Sequence, residues 1–286
     1  MNNLSNQQKG SLLAFIAIIF ITPDTLLIRL SNIDTWGMLF YRGAIPFFVV
    51  LVGLIFFYKK KFIFALLNVG WTGIFYTISF SICNITFIIS IQNTNVANTL
   101  VMIAIAPMLS AILGGIFLKE VPDKKTWIAI IVTFSSVFYI FYDSLQLGNI
   151  YGDLMALITA AGLAINAVLI RSAKDRDLLP AAIMGKACVA LFALFFVKSF
   201  ALNGKDLLYV PLMCVMCVAI PFVLVTIAPR YIPAEEVNLF FLLETILGPI
   251  WVWLVIKEEP SLETIMGGSI IIITIAIHSY LKIKKS

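Results

Sequence analysis

Charge is scarce in this chain: of 286 residues only 12% are Asp, Glu, Lys or Arg, against 61% hydrophobic, and mean hydropathy is +1.03. An ordinary soluble domain carries roughly a quarter charged residues, so a soluble fold of this composition has too little polar surface to cover itself. Histidine is rarer still. His278 stands alone, which leaves a histidine metal site or a His-based triad without partners. No P-loop, G-x-S-x-G or H-E-x-x-H occurs, and this removes ATP-driven transport by this chain and the common hydrolase chemistries. Cysteine is limited to Cys83, Cys188, Cys214 and Cys217, all within apolar runs, where thiols behave as small hydrophobes. Cys214-x-x-Cys217 has redox spacing but lacks the exposed, electropositive setting that makes a thiolate. No catalytic set, metal or cofactor is therefore assigned. The net charge of +5 does not point to nucleic acid, because the basic residues fall between apolar runs rather than along one helix face.

What the chain has in abundance is apolar runs of about twenty residues, the length that crosses a hydrocarbon core of about 30 Å. Ten are expected to be spans: 11 to 30, 37 to 58, 66 to 90, 95 to 118, 126 to 142, 152 to 171, 179 to 200, 207 to 228, 237 to 256 and 264 to 281. The connections are too short to fold as separate domains. The first run follows Lys9 but lacks an A-x-A-like cleavage site and exceeds the length of a signal h-region, so it is read as a retained helix. Cytoplasmic loops carry the Lys and Arg excess. An inside N-terminus places fourteen of the twenty Lys and Arg residues in the cytoplasm and only Arg29, Lys198, Lys205 and Lys257 opposite. Both termini are thus expected to be cytoplasmic, in a membrane taken to be a bacterial inner membrane.

The chain repeats itself. Gly10-Ser-Leu-Leu-Ala14 with Leu27-Ile28-Arg29 aligns at an offset of 142 on Gly152-Asp-Leu-Met-Ala156 with Leu169-Ile170-Arg171. Lys119-Glu120-Val-Pro122-Asp-Lys-Lys-Thr126 aligns at an offset of 138 on Lys257-Glu258-Glu-Pro260-Ser-Leu-Glu-Thr264. These divide the chain into units 1–143 and 144–286 of five spans each. An odd span number inverts the second unit relative to the first. The expected fold is an all-α integral membrane bundle of ten transmembrane helices, two inverted five-helix repeats around a central cavity, an architecture suited to alternating access.

The halves resemble two EamA units of the drug/metabolite transporter superfamily. The resemblance rests on Ile28-Arg29-Leu30 closing the first span, Tyr41-Arg42-Gly43 in the second, Ile105-Ala106-Pro107 in the fourth and Leu118-Lys119-Glu120 at its end. Leu242-Leu243-Glu244-Thr245 and Ile256-Lys257-Glu258 repeat the pattern. It departs from the family where Lys119 and Lys257 stand in place of a frequent Gly, and Thr245 in place of a Pro, with Pro249 following later. The resemblance implies a ten-helix bundle whose cavity is lined by spans one, three, four, six, eight and nine.

Charges within hydrocarbon cost at least about 2.5 to 3.5 kcal/mol each at the centre and so mark functional candidates. Four qualify: Asp24, Arg42, Lys186 and Glu244. Asp24 and Arg42 each lie about six residues from the outer ends of their spans, roughly 9 Å deep at 1.5 Å per residue. They can meet, either as an outer gate or carboxylate-binding arginine, or as a permanent buried pair. Pro23 frees a backbone carbonyl beside Asp24. Asn166 takes the position matching Asp24 in the second half, and Lys186 lies near the depth mirroring Arg42, though Arg42 itself aligns with Met184; Lys186 either faces the interior or snorkels toward the cytoplasmic interface. Glu244 has no basic residue within a turn of its own helix. It must find a partner, be protonated or face water, the setting of a proton-coupling group. Tyr41, Trp71, Tyr76, Asn84, Gln92, Asn98 and Asn238 complete the polar and aromatic candidates for a cavity wall, or act as packing glue between helices. Ala156, Ala160 and Ala164 form a close-packing stripe.

Balanced buried charges fit a secondary transporter of a small polar or zwitterionic, amino-acid-like metabolite, proton coupling included. The expected partners are that substrate, the lipid bilayer and protons, with no nucleic acid; the sequence leaves monomer or homodimer open. A membrane-embedded lipid-active enzyme would want polar groups clustered at one interface, whereas these are scattered in depth. A receptor or structural subunit would bring long loops or a signalling domain.

Overall fold

The computed structural model describes residues 5–58, 69–119, 122–173, 178–228, 231–232 and 234–283; the side chains of 56–58, 143–147, 226, 234–239 and 282–283 lie outside that description. Helices follow the apolar runs. They are α1a (Asn6–Ile21) and α1b (Asp24–Leu30), α2 (Thr35–Tyr58), α3 (Gly70–Asn93), α4a (Val96–Ile103) and α4b (Ala106–Phe117), α5 (Lys124–Leu147) and α6 (Ile150–Ala173). Next come α7 (Leu179–Leu194), α8a (Asp206–Leu212), a π-helical turn (Met213–Ala219), α8b (Ile220–Ile227), α9 (Ala234–Ile256) and α10 (Leu262–Ile283). No strand occurs among the described residues. Eight continuous or broken helices are long and apolar enough to cross a membrane, and Leu179–Leu194 and Phe240–Ile256 are shorter apolar helices.

The outside of the bundle is apolar. Phe48, Phe75, Phe117, Ile128, Phe138 and Phe195 are all more than half exposed, the reverse of a soluble surface and the pattern of lipid contact. The interior holds two main apolar clusters. One joins α1b, α2, α3, α7 and α8 through Leu26, Met38, Ile88, Val189 and Met213; the other joins α4, α5, α6 and α10 through Met102, Met108, Ile140, Ala156, Ala160 and Ile271.

Helix pairing has an internal order. α2 packs on α7, α5 on α10 and α4a on α9, while α3 packs on α6 as α8b packs on α1a, and α4b on α6 as α9 on α1a. Replacing each helix by the one five places on maps these pairs onto themselves. Single residues follow the same rule. A Cβ on Gly152 would meet Asn93 and Thr94 at the α3–α4 corner, and one on Gly10 would meet Tyr231 and Ile232 just before α9. The two glycines are 142 apart and the two corners 138 apart, the same offsets as the sequence repeats. Lys119 and Lys257, also 138 apart, both adopt left-handed backbone, φ 59° and 63°, one to two residues past the ends of α4b and α9. That conformation suits glycine at a helix terminus and costs other residues roughly 1–2 kcal/mol.

Three departures from the expected spans have local causes. The first span breaks at Thr22 and Pro23. Pro23 cannot donate to the carbonyl four residues back, and the Thr22 hydroxyl donates to that Ile19 oxygen instead, at 3.0 Å. The seventh span stops at Leu194 rather than 200. Phe196 stacks on Trp36 at 4.5 Å, Phe200 meets Phe40 edge-on, and the Phe200 carbonyl accepts from the Tyr41 hydroxyl at 2.5 Å. Packing onto α2 therefore holds these apolar residues as a loop. The fourth span breaks at Ala104 and Ile105 ahead of Pro107, whereas α9 runs on through Pro249.

Candidate functional site

The break in the first span puts Asp24 on the first turn of α1b, facing Arg42 on α2. The guanidinium grips the carboxylate with both terminal nitrogens, Nη1 to Oδ1 at 2.6 Å and Nη2 to Oδ2 at 2.9 Å, and both residues are buried. Such a fork satisfies two charges at once. The Phe87 ring covers the guanidinium, with its centroid 5.9 Å away. The π-helical turn of α8 packs against α1b and α2 here, bringing Cys214 and Cys217 beside the pair. π-turns are rare and gather at functional sites.

α7 supplies the second buried cation. At Gly43 the backbones of α2 and α7 touch, since a Cβ there would lie 2.7 Å from the Lys186 carbonyl oxygen and 2.6 Å from the Ala190 nitrogen. This contact, one residue after Arg42, places Lys186 next to the ion pair. The Lys186 ammonium donates to Asn84 Oδ1 on α3 at 2.5 Å and lies 5.5 Å from the Phe80 ring centroid. Asn84 also donates its amide to the Phe80 carbonyl at 2.7 Å, which fixes its oxygen toward the lysine. Lys186 interacts electrostatically with both Arg42 and Asp24.

Glu244, on α9, is half-buried and interacts electrostatically with Asp24 and Arg42. α9 also approaches the break in the first span through Trp251, whose indole donates to the Thr22 hydroxyl at 3.1 Å. Five helices thus bring Asp24, Arg42, Asn84, Lys186 and Glu244 into one electrostatic neighbourhood.

The other residues named from the sequence sit elsewhere. Tyr41 is tied to the loop after α7. Trp71 is 78% exposed on the first turn of α3. Tyr76 is buried and stacks on Phe80 at 5.8 Å, within a cluster including Ala173 and Ala181. Asn98 accepts from the Thr264 hydroxyl, joining α4a to α10, and Gln92 accepts from that of Thr35. Asn166 donates to the Cys83 sulfur at 3.7 Å, while its own oxygen is buried without a hydrogen-bond partner. The side chain of Asn238 lies outside the described residues. Ala156, Ala160 and Ala164 are buried, and α6 bonds to α3 beside them through Thr159 and Thr86 at 2.7 Å.

One polar cluster was not singled out from the sequence. Arg29, at the end of α1b, donates to the Thr94 carbonyl at 2.7 Å and to Glu258 at 3.2 Å, and Glu258 accepts from the Val96 amide at 2.8 Å. It joins the first span, the α3–α4 corner and the α9–α10 loop. The available signal was that Arg29 and Glu258 both lie in the repeated segments. Glu120, the repeat counterpart of Glu258, lies outside the described residues.

The model of the EamA-like transporter family matches this chain twice, over residues 8–142 and 150–280. A solved crystal structure of a protein superposes with a TM-score of 0.67 at 14% identity, covering 96% of this chain and 98% of the other, and so shares its fold. No curated protein matches the sequence.

Proposed function

We propose, from the premise that this chain belongs to the EamA-like transporter family, that this integral membrane protein is a secondary transporter of a small polar or zwitterionic, amino-acid-like metabolite. The observation that carries the reading is the gathering of two acids and two bases, Asp24, Arg42, Lys186 and Glu244, around a helix break and a π-turn in an otherwise apolar bundle. Buried charge is too costly to accumulate for packing alone, and balanced signs suit a ligand with both.

Ten crossing helices in two inverted halves, 1–143 and 144–286, would let the halves rock about that cluster, exposing it to each side in turn. The order of helix pairs and the matched glycine contacts support that arrangement. In this reading both termini face the cytoplasm of a bacterial inner membrane. An impermeant thiol reagent should label a cysteine introduced at Gly204, between α7 and α8a, and spare one at Ser5 in a cysteine-free variant; the opposite pattern reverses the topology.

Glu244 is the proposed coupling group. It has no hydrogen-bond partner among the described residues, and it interacts with the Asp24–Arg42 pair. A carboxyl placed so is free to exchange a proton or to meet the substrate's ammonium. Proteoliposomes holding the purified chain and given a panel of labelled L-amino acids and related amines should take up at least one of them saturably. Uptake of none of them above protein-free vesicles would refute the transport reading of this substrate class.

A further inference from the structure

The two buried cations among the described residues, Arg42 and Lys186, are not equivalent. Both terminal nitrogens of Arg42 are held by Asp24, so its fork is closed to any other anion. The Lys186 ammonium has three donors. Its described partners are one neutral oxygen, from Asn84, and the face of Phe80. A buried ammonium is ordinarily paired with an anion, and the salt bridges among the described residues are Arg29–Glu258 and Asp24–Arg42. In the repeat frame Asn166 stands where the first half has Asp24, and its amide is engaged with Cys83. In the same frame Arg42 corresponds to Met184, and Lys186 follows two residues on, so the second half carries a base near the matching level without an acid at the matching position.

We infer that Lys186, positioned by Asn84, is the subsite that receives the carboxylate of the transported molecule, while the Asp24–Arg42 pair stays closed as part of the wall. The inference rests on the transport reading and deepens it by naming the substrate class. The ligand is a monoanionic carboxylate that also carries a cation. Asp24 is neutralised by Arg42, and Glu244, which interacts with that pair, is the acid left to attract an α-ammonium and to repel the second charge of a dianion such as a phosphate monoester.

The test uses the purified full chain and two matched probe series, L-amino acids and their carboxamides, read by thermal shift in detergent. At least one carboxylate should raise the melting temperature while its amide does not. Lys186→Met should weaken that ligand by roughly ten- to a hundredfold, the worth of a charge-assisted hydrogen bond, and Lys186→Arg should recover part of the loss. Asn84→Asp, on α3 of the first half, gives Lys186 a carboxylate partner; it should fold, raise the unliganded melting temperature and abolish the ligand-induced shift. The subsite is overturned if amides stabilise as well as carboxylates, if Lys186→Met keeps the parental affinity, or if no carboxylate stabilises. Uptake by proteoliposomes separates the two readings. Binding that depends on Lys186 without uptake sinks transport and leaves the subsite; undiminished uptake by Lys186→Met sinks the subsite and leaves transport.

Discussion

The two halves share a backbone plan and differ in chemistry. Gly10 and Gly152 seat matching corners, and Lys119 and Lys257 take the same left-handed turn. Yet the first half closes its buried charge on itself, Asp24 against Arg42, while the second sets Lys186 against a neutral amide and ties Asn166 to a thiol. Repetition preserves what packing needs, namely small residues at helix crossings and turns at helix ends. It does not preserve charge, and in the proposed transport reading one substrate in one site needs a different group from each side.

The largest expected effect lies on the closed side. Arg42→Met or Asp24→Asn strips one partner from a buried bidentate pair and should cost about 3–5 kcal/mol, measured by denaturant or thermal unfolding in detergent. The exchanged double variant Asp24→Arg with Arg42→Asp should regain part of this. A double no better than the worse single would mean that the pair does not act as a unit. The backbone device shared by both halves is weaker. Lys119→Gly and Lys257→Gly each relieve a positive φ and should stabilise by about 1 kcal/mol, additively because the turns are separate. A gain at one turn only would break the symmetry of the comparison. The smallest effect belongs to the open side: Lys186→Met strands no carboxylate, only the half-buried Asn84 oxygen, and removing a desolvated ammonium offsets that loss, so stability should change by at most about 1 kcal/mol. A loss as large as that from Arg42→Met would show that the two halves are equally closed.

Much of this was legible in the sequence, because hydrocarbon imposes strong rules. Length and hydropathy marked the apolar helices, and depth counting along adjacent spans put Asp24 and Arg42 at one level. The repeat offsets of 142 and 138 read from the sequence reappear in the matched contacts of Gly10 and Gly152. Other features were hidden because they depend on packing between distant segments. Residues 195–200 are apolar enough to continue α7, and only Trp36, Phe40 and Tyr41 on a neighbouring helix hold them as a loop. The π-turn at Met213–Ala219 carries no marker beyond the flanking Pro211 and Pro221. Arg29 and Glu258, 229 residues apart, looked like separate loop charges although they meet across the bundle. Trp71 looked like a wall residue from its type alone, and its exposed place on α3 depends on a helix rotation that hydropathy does not define.

The most direct test of the account is uptake as a function of pH by proteoliposomes containing the parental chain or Glu244→Gln. Gln keeps the size and hydrogen-bonding capacity of the side chain while removing its ionisation, so folding should be retained. The account predicts that the variant loses uptake, or retains it without the parental pH dependence and without response to an imposed proton gradient. Uptake at the parental rate with an unchanged pH profile would contradict it, and would make Glu244 a protonated packing residue.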